Sequence, residues 1–244
     1  MPPISVIDLM TLDEPVGASA GLIYSTQPRR AFGVDGRDYF VKGPAPEEVF
    51  AEVVGCRLAA AVGLPVAEVA LAQFEGQRLA ASVKAADLGR NIQPWLRPDL
   101  AINFDVLFEM IVVDAWLANP DRNMGNVIGR GADKGRVELV MIDYEKSVTL
   151  RPYPTVMTPT IEPKKLWPTN ELGRLLMPLR PLCPPGRPMQ KIASLADTGS
   201  EIAEIVQDVT FHVPTVDWGD ASIDVLRWRA ERIQEIVAEV WAAA

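Results

Sequence analysis

The chain has 244 residues, 48% of them hydrophobic and 23% charged, with a formal net charge of −8. That length suits one large domain or two small units sharing a cleft. The acidic balance argues against nucleic acid or an anionic lipid surface as the main partner, because both select basic faces.

Cys56 and Cys183 have neither metal-ligand nor disulfide-framework spacing, so both are expected as reduced thiols in a cytoplasmic protein. The single histidine, His212, is expected as a structural residue near the end of a loop before Pro214. One histidine excludes a multi-histidine metal site, and no nucleophile-elbow pattern accompanies it. The first five residues have no basic or apolar leader character. The most apolar stretch, residues 104–117, is interrupted by Asp105, Glu109 and Asp114 and is too short for a membrane span. Chemistry must therefore come from carboxylates, amides, lysine and backbone.

In chain order, residues 31–43 place Asp35-Gly36 between two β-prone runs. Asp-Gly predicts a type I′ hairpin, with both central residues at positive φ and Lys42 ending the second strand. On that strand Tyr39 and Val41 share one face, and Phe40 and Lys42 the other. Residues 46–62 show helical apolar spacing with Glu47 and Glu48 in the first turn, stopped by Gly63 and Pro65. Residues 65–74 and 77–84 read as two further strands joined at Glu75-Gly76.

Beyond about residue 85 the pattern turns helical. Residues 104–117 predict a buried helix. A polar loop holding Asp121 and Asn126 follows, then a turn near residues 131–135, then a strand over 137–142 that releases Asp143. Residues 151–188 are proline-rich and predict loop with short helices. Residues 192–205 and 221–242 predict amphipathic helices, the second with Arg227, Arg229, Glu231, Arg232 and Glu235 largely outside.

Asp121, Asn126 and Asp143 are the residue types that phosphoryl transfer requires. One carboxylate orients the attacking hydroxyl, while an amide oxygen and a second carboxylate hold magnesium against nucleotide phosphates. The five-residue step from Asp121 to Asn126 and the strand before Asp143 follow the kinase order. Lys42 suits contacts to ATP phosphates, and Glu52, ten residues on, suits holding that lysine.

These residues carry a resemblance. The chain is similar to the HipA-like kinases, a bacterial branch of the protein-kinase-like superfamily. The loop Asp121-Arg122-Asn123-Met124-Gly125-Asn126 also resembles that of phosphatidylinositol kinases. The Ser25-Thr26-Gln27-Pro28 segment, the hairpin of residues 35–42 and the Gly63-Leu64-Pro65-Val66 exit resemble the small single-domain HipA-like group.

The resemblance implies an α+β, bilobal protein-kinase-like fold. Residues 1–85 would form a small antiparallel sheet with one helix, and residues 86–244 a mainly helical lobe. It implies Asp121 as the catalytic residue, Asn126 and Asp143 as magnesium ligands, and Lys42 on the phosphates, positioned by Glu52. Ser25, Thr26 and Gln27 would cover the phosphates. Residues 83–86, from Val83 to Ala86, would meet adenine at a hinge, with Ile142 and Val127 under the base. The implied cofactors are ATP and Mg2+, and the implied acceptor is a hydroxyl, first a protein serine or threonine.

The departures are equally specific. The chain has no Gly-x-Gly-x-x-Gly loop, Asn123 stands where lipid kinases have histidine, and Tyr144-Glu145 follows Asp143 in place of Phe-Gly. A small-molecule kinase and an AMP transferase would share the same ligands; retention of Lys42, Asp121, Asn126 and Asp143 speaks against the further alternative, a nucleotide-binding pseudokinase.

Overall fold

The computed structural model describes residues 2–15, 28–85, 98–119, 121–131, 135–148, 181–184, 186–213 and 218–242. Strands β2 (Arg29–Gly33) and β3 (Asp38–Lys42) pair antiparallel, as expected. Their turn differs from the type I′ expectation. Of Asp35 and Gly36, only Gly36 has positive φ, at 80°. The loop is wider because the Gly33 amide donates to the Arg37 carbonyl at 3.0 Å. The geometry expected there occurs instead between β4 (Val69–Phe74) and β5 (Gln77–Val83), where Glu75 and Gly76 have φ of 47° and 78°.

The sheet is not the purely antiparallel one expected. A further strand, β1 (Val6–Pro15), pairs antiparallel with β2 and parallel with β4. The five strands thereby close into a barrel in the order β1-β2-β3-β5-β4. Closure removes the exposed edges that β2 and β4 would otherwise present. Leu9, Ala31, Tyr39, Val41, Ala72, Leu79 and Ala81 fill the barrel, so Tyr39 and Val41 do share the buried face of β3.

Helix α1 (Pro46–Ala61) opens on a proline, with Glu47 and Glu48 in its first turn. Gly63, at φ 80°, ends it, and the Leu64 amide returns to the Ala59 carbonyl at 3.0 Å. Residues 49–59 of α1 are buried on every side. Helix α2 (Val106–Leu117) is buried along its whole length. A helix buried on every side is a core helix, and the apolar residues of these two form the centre of the main hydrophobic cluster. Strands β6 (Val127–Gly131) and β7 (Val137–Met141) then pair as an antiparallel hairpin, β7 being the strand expected before Asp143.

Four more helices are described: α3 (Arg187–Ala196), α4 (Gly199–His212), α5 (Trp218–Glu231) and α6 (Ile233–Ala242). Each of the two helices expected here is broken. Residues 197–198 separate α3 from α4, where the Thr198 hydroxyl donates to the Leu195 carbonyl, and Arg232 separates α5 from α6. His212 lies in the last turn of α4, not in a loop. Arg229, expected outside, is 1% exposed. Its guanidinium donates to the Ala115 and Trp116 carbonyls, groups that the end of α2 leaves without helical partners. Burial pushes its pKa down to about 10. No described helix is long and apolar enough to cross a membrane.

Candidate active site

Lys42 is the last residue of β3 and lies in register with Ala80 of β5. Gly43 follows at φ 115°, and a Cβ there would stand 2.8 Å from the Val49 side chain. Only glycine allows the chain to turn this tightly from the strand into α1. The Lys42 ammonium lies 2.6 Å from Asp143, 3.2 Å from Glu145 and 3.3 Å from Glu52. Burial alone would lower its pKa; the carboxylates of Glu52, Asp143 and Glu145 outweigh that and raise it. Lys42 is therefore a fixed positive charge.

Glu52 is 1% exposed and holds more than the lysine. Its Oε2 also accepts the Tyr144 amide at 2.8 Å, and its Oε1 accepts the Ser82 hydroxyl at 3.4 Å. Cys56, one turn along α1, has its thiol pushed well up by burial and by Glu52, so it remains protonated and unreactive.

The segment after Asp143 packs directly on α1. The Ser147 hydroxyl reaches the Ala51 carbonyl at 3.4 Å, and Tyr144 and Ser147 lie against Gly55. A Cβ on Gly55 would be 2.4 Å from Ser147 Oγ and 2.6 Å from Tyr144 Cβ. Gly55→Ala is accordingly expected to lower unfolding free energy by about 1–3 kcal/mol, the usual cost of overpacking, as read by urea denaturation. A loss below a few tenths of a kcal/mol would show that this contact relaxes freely.

Asp121 lies in the loop after α2. That helix ends at Ala118, which takes a left-handed conformation with φ 54°. Asp114 on α2 accepts two bonds from Arg122, at 2.9 and 3.0 Å, and one from the Asn119 side chain at 3.1 Å. Burial works to lower the Arg122 pKa, but Asp114 outweighs it and raises it. The same guanidinium donates to the carbonyls of Asn126 and Ile142 and stacks 4.5 Å above the Tyr144 ring. The Ile142 amide donates to the Asn126 carbonyl at 3.1 Å. One buried arginine thus fastens the backbone of Asn126 to the residue before Asp143.

Within the loop, the Asn126 side-chain NH2 donates to the Asp121 carbonyl at 2.9 Å. That bond fixes the amide through its nitrogen and leaves its oxygen, the donor a cation needs, outside the bond. The Asp121 carboxylate is itself paired, with Lys146 at 2.6 Å. Asp143 takes φ 67°, a left-handed conformation costing of order 1–3 kcal/mol for a non-glycine residue. Its bond to Lys42 offsets part of that cost.

The structure therefore brings Lys42, Glu52 and Asp143 together, and ties Asp121 to Asn126 and Asn126 to the strand end before Asp143. Val83 ends β5, where its amide donates to the Glu68 carbonyl at 2.8 Å. Ile142 is half-buried and Val127 fully buried. Ser25, Thr26, Gln27 and Ala86 lie outside the described residues.

Sequence reasoning missed Glu145, Lys146, Arg122 and Asp114. It read Glu145 only as a departure from Phe-Gly, yet its carboxylate joins the lysine cluster. The available signal was the two-residue step from Asp143 to Glu145. In the left-handed turn at Asp143, that step brings both acids to the same cation.

A strand ending in lysine, a helix glutamate held to it and a strand-released aspartate on the same ammonium follow the order expected of a protein-kinase-like fold. Two of the solved structures to which the chain is similar are kinases or kinase-like toxins of that fold. One is the Helicobacter pylori proinflammatory kinase CtkA, with a TM-score of 0.54 at 15% identity, covering 97% of each chain. The other comes from the Shewanella oneidensis MR-1 toxin–antitoxin complex of HipA and HipB with operator DNA, with a TM-score of 0.53 at 13% identity. That match covers 84% of this chain and 60% of the other. The likeness to HipA-like kinases read from the sequence thus holds at the level of fold. No family model and no curated protein matches the sequence.

Proposed function

We propose that the chain is an ATP- and magnesium-dependent phosphotransferase acting on a hydroxyl, with protein serine or threonine as the first acceptor class and a small-molecule alcohol as the second. The observation that carries this reading is the largely buried cluster in which Lys42 meets both Glu52 and Asp143. A surface lysine has no need of such a setting. An ammonium that must hold phosphate in a fixed place does. The nucleotide would lie between the barrel with α1 and the helical remainder, with the division near residue 85 in a bilobal arrangement.

The donor set fits magnesium. Asp143 and the Asn126 amide are hard oxygen ligands, as that ion demands. Around Asp143, three carboxylates face one ammonium within a group whose oxygens lie within 4.8 Å of one another, so added positive charge is favoured there. When bound, magnesium would neutralise phosphate charge beside the transferring group. In this reading Lys42 holds the phosphates, Glu52 keeps Lys42 in place, and Asn126 and Asp143 hold the ion. Asp121 orients the acceptor hydroxyl and receives its proton as the oxygen attacks the γ-phosphorus.

Incubation of the chain with magnesium and ATP labelled at either the α- or the γ-phosphate tests this directly. Label transferred from the γ-position is expected. Label from the α-position would mean AMP transfer. Tight nucleotide binding with no transfer to protein, to small alcohols or to water would make the chain a pseudokinase and overturn the reading.

A further inference from the structure

The site contains a cation that the kinase order does not account for. Lys146 lies three residues after Asp143, on the segment that feeds Lys42, yet its ammonium is 2.6 Å from Oδ2 of Asp121. Among the described residues, it is the cation at salt-bridge distance from the Asp121 carboxylate. From this juxtaposition we infer that Lys146 is a positioning residue for Asp121, an inference that rests on the phosphotransferase reading above. It binds one carboxylate oxygen and so turns the other toward the acceptor hydroxyl.

The placement of Lys146 is built into the fold. Its neighbours on both sides are buried, Glu145 at 3% exposure and Ser147 at 0%. Glu145 is held at Lys42, and Ser147 closes a turn through its amide to the Tyr144 carbonyl at 2.8 Å. The Ser147 hydroxyl also bonds that carbonyl and the Ala51 carbonyl. Two residues before Lys146, Tyr144 lies under Arg122 with its amide on Glu52. The backbone of Lys146 is thus clamped between the lysine cluster and the arginine that orders the Asp121 loop. A lysine on a mobile surface segment would meet an aspartate in many geometries. This one projects from a fixed turn.

The segment of residues 143–146 therefore serves two purposes in four residues. Asp143 and Glu145 present carboxylates to Lys42, and Lys146 presents an ammonium to Asp121. A backbone shift of this segment that carries Asp143 away from Lys42 also moves the partner of Asp121.

The chemical step balances without consuming Lys146. The acceptor oxygen forms the new bond to the γ-phosphorus, and its proton passes to the free oxygen of Asp121. The bond between the γ-phosphorus and the β,γ-bridging oxygen breaks, and the electron pair leaves with ADP. Asp121 then releases the proton to solvent. Lys146 stays an ammonium throughout. Its contribution is to hold a carboxylate that would otherwise rotate, and misplacement on the scale of 1 Å can lower a rate about 10²-fold.

Both side chains of the pair are about one-third exposed, 35% and 37%. Exposed pairs of this kind add little to stability, which separates the catalytic effect from a folding effect. Lys146→Met is expected to lower kcat for transfer of γ-label from Mg·ATP, to water or to the chain's own hydroxyls, by about 10²-fold. KM for ATP should stay within about threefold, and the melting temperature should move by no more than about 3 °C. Lys146→Arg keeps the charge and should recover kcat to within about tenfold of the parent. In an Asp121→Asn background, Lys146→Met should add almost no further loss, because both changes act on one unit.

An unchanged or raised kcat in Lys146→Met would overturn the assignment; a raised value would mean that the lysine restrains the site. A full additional loss in the Asp121→Asn background would overturn it too, since the lysine would then act independently of Asp121. If the unaltered chain transfers no label, the phosphotransferase reading fails and this role falls with it. If the unaltered chain transfers label and Lys146→Met does so equally well, only this inference fails.

Discussion

Asp114→Leu lowers the free energy of unfolding by about 3–5 kcal/mol, the expected cost of removing one partner from a buried ion pair. Urea denaturation against the unaltered chain measures it. Asp114 is 2% exposed and Arg122 is fully buried. The carboxylate receives two bonds from the guanidinium and one from Asn119. Leucine leaves a buried positive charge with carbonyls and the Tyr144 ring, and no countercharge at Asp114, for partners. Arginine cannot escape by losing its proton, since its ordinary pKa lies far above neutrality. Domains of this size are stable by about 5–15 kcal/mol, so the loss is a large fraction of the whole.

The same change removes more than stability. Arg122 holds the Asn126 and Ile142 carbonyls, and with them the two chain segments that carry the proposed ion ligands. The double variant Asp114→Leu with Arg122→Met separates the two effects. Replacing a buried pair with apolar groups of similar volume is often neutral, so stability should largely return. Activity should not, because the two carbonyls have lost their shared donor. A single Asp114→Leu variant within 1 kcal/mol of the parent would show that the pair is already solvated.

The parts of this site that were legible in the sequence depend on short-range pattern. The run before Lys42, the apolar spacing around Glu52 and the strand before Asp143 each declare their local structure within about ten residues. Their order along the chain then suggests a shared centre. The barrel was not legible because its closure depends on pairings far apart in sequence, Val6 with Leu71 and Ile7 with Ala72. Within β1, Asp8, Asp13, Glu14 and Pro15 break the alternation that marks a strand, and Leu9 is its one fully buried residue.

Arg229 was misread, and Glu145 overlooked, for a related reason. Both are charged residues that composition places outside. The fold buries Arg229 because the end of α2 needs donors, and Glu145 because Lys42 needs countercharge. Neither demand can be seen without the partner element. The same limit applies to Lys146, whose partner lies 25 residues earlier in the chain.

Asp121→Asn is expected to reduce kcat for γ-phosphoryl transfer by about 10²–10⁴-fold, the range that a positioned acid or base contributes. Nucleotide affinity should be nearly unchanged. The split follows from where the groups lie. The cluster of Lys42, Glu52 and Asp143, proposed to hold the phosphates, makes no described bond to the Asp121 carboxylate; among the described residues that carboxylate meets the segment after Asp143 through Lys146, while Arg122 joins the two segments through backbone carbonyls. The bonds that shape the loop use the Asp121 backbone: its carbonyl accepts from Asn123 and Asn126, and its amide donates to Asn119. Asparagine preserves all of these, keeps the side-chain shape and removes only the charge that receives a proton. Folding should therefore be intact, and a titration with Mg·ATP should match the parent while single-turnover transfer collapses. An unchanged transfer rate would remove Asp121 from the reaction. A matched loss of rate and of nucleotide binding would make it part of the phosphate site instead.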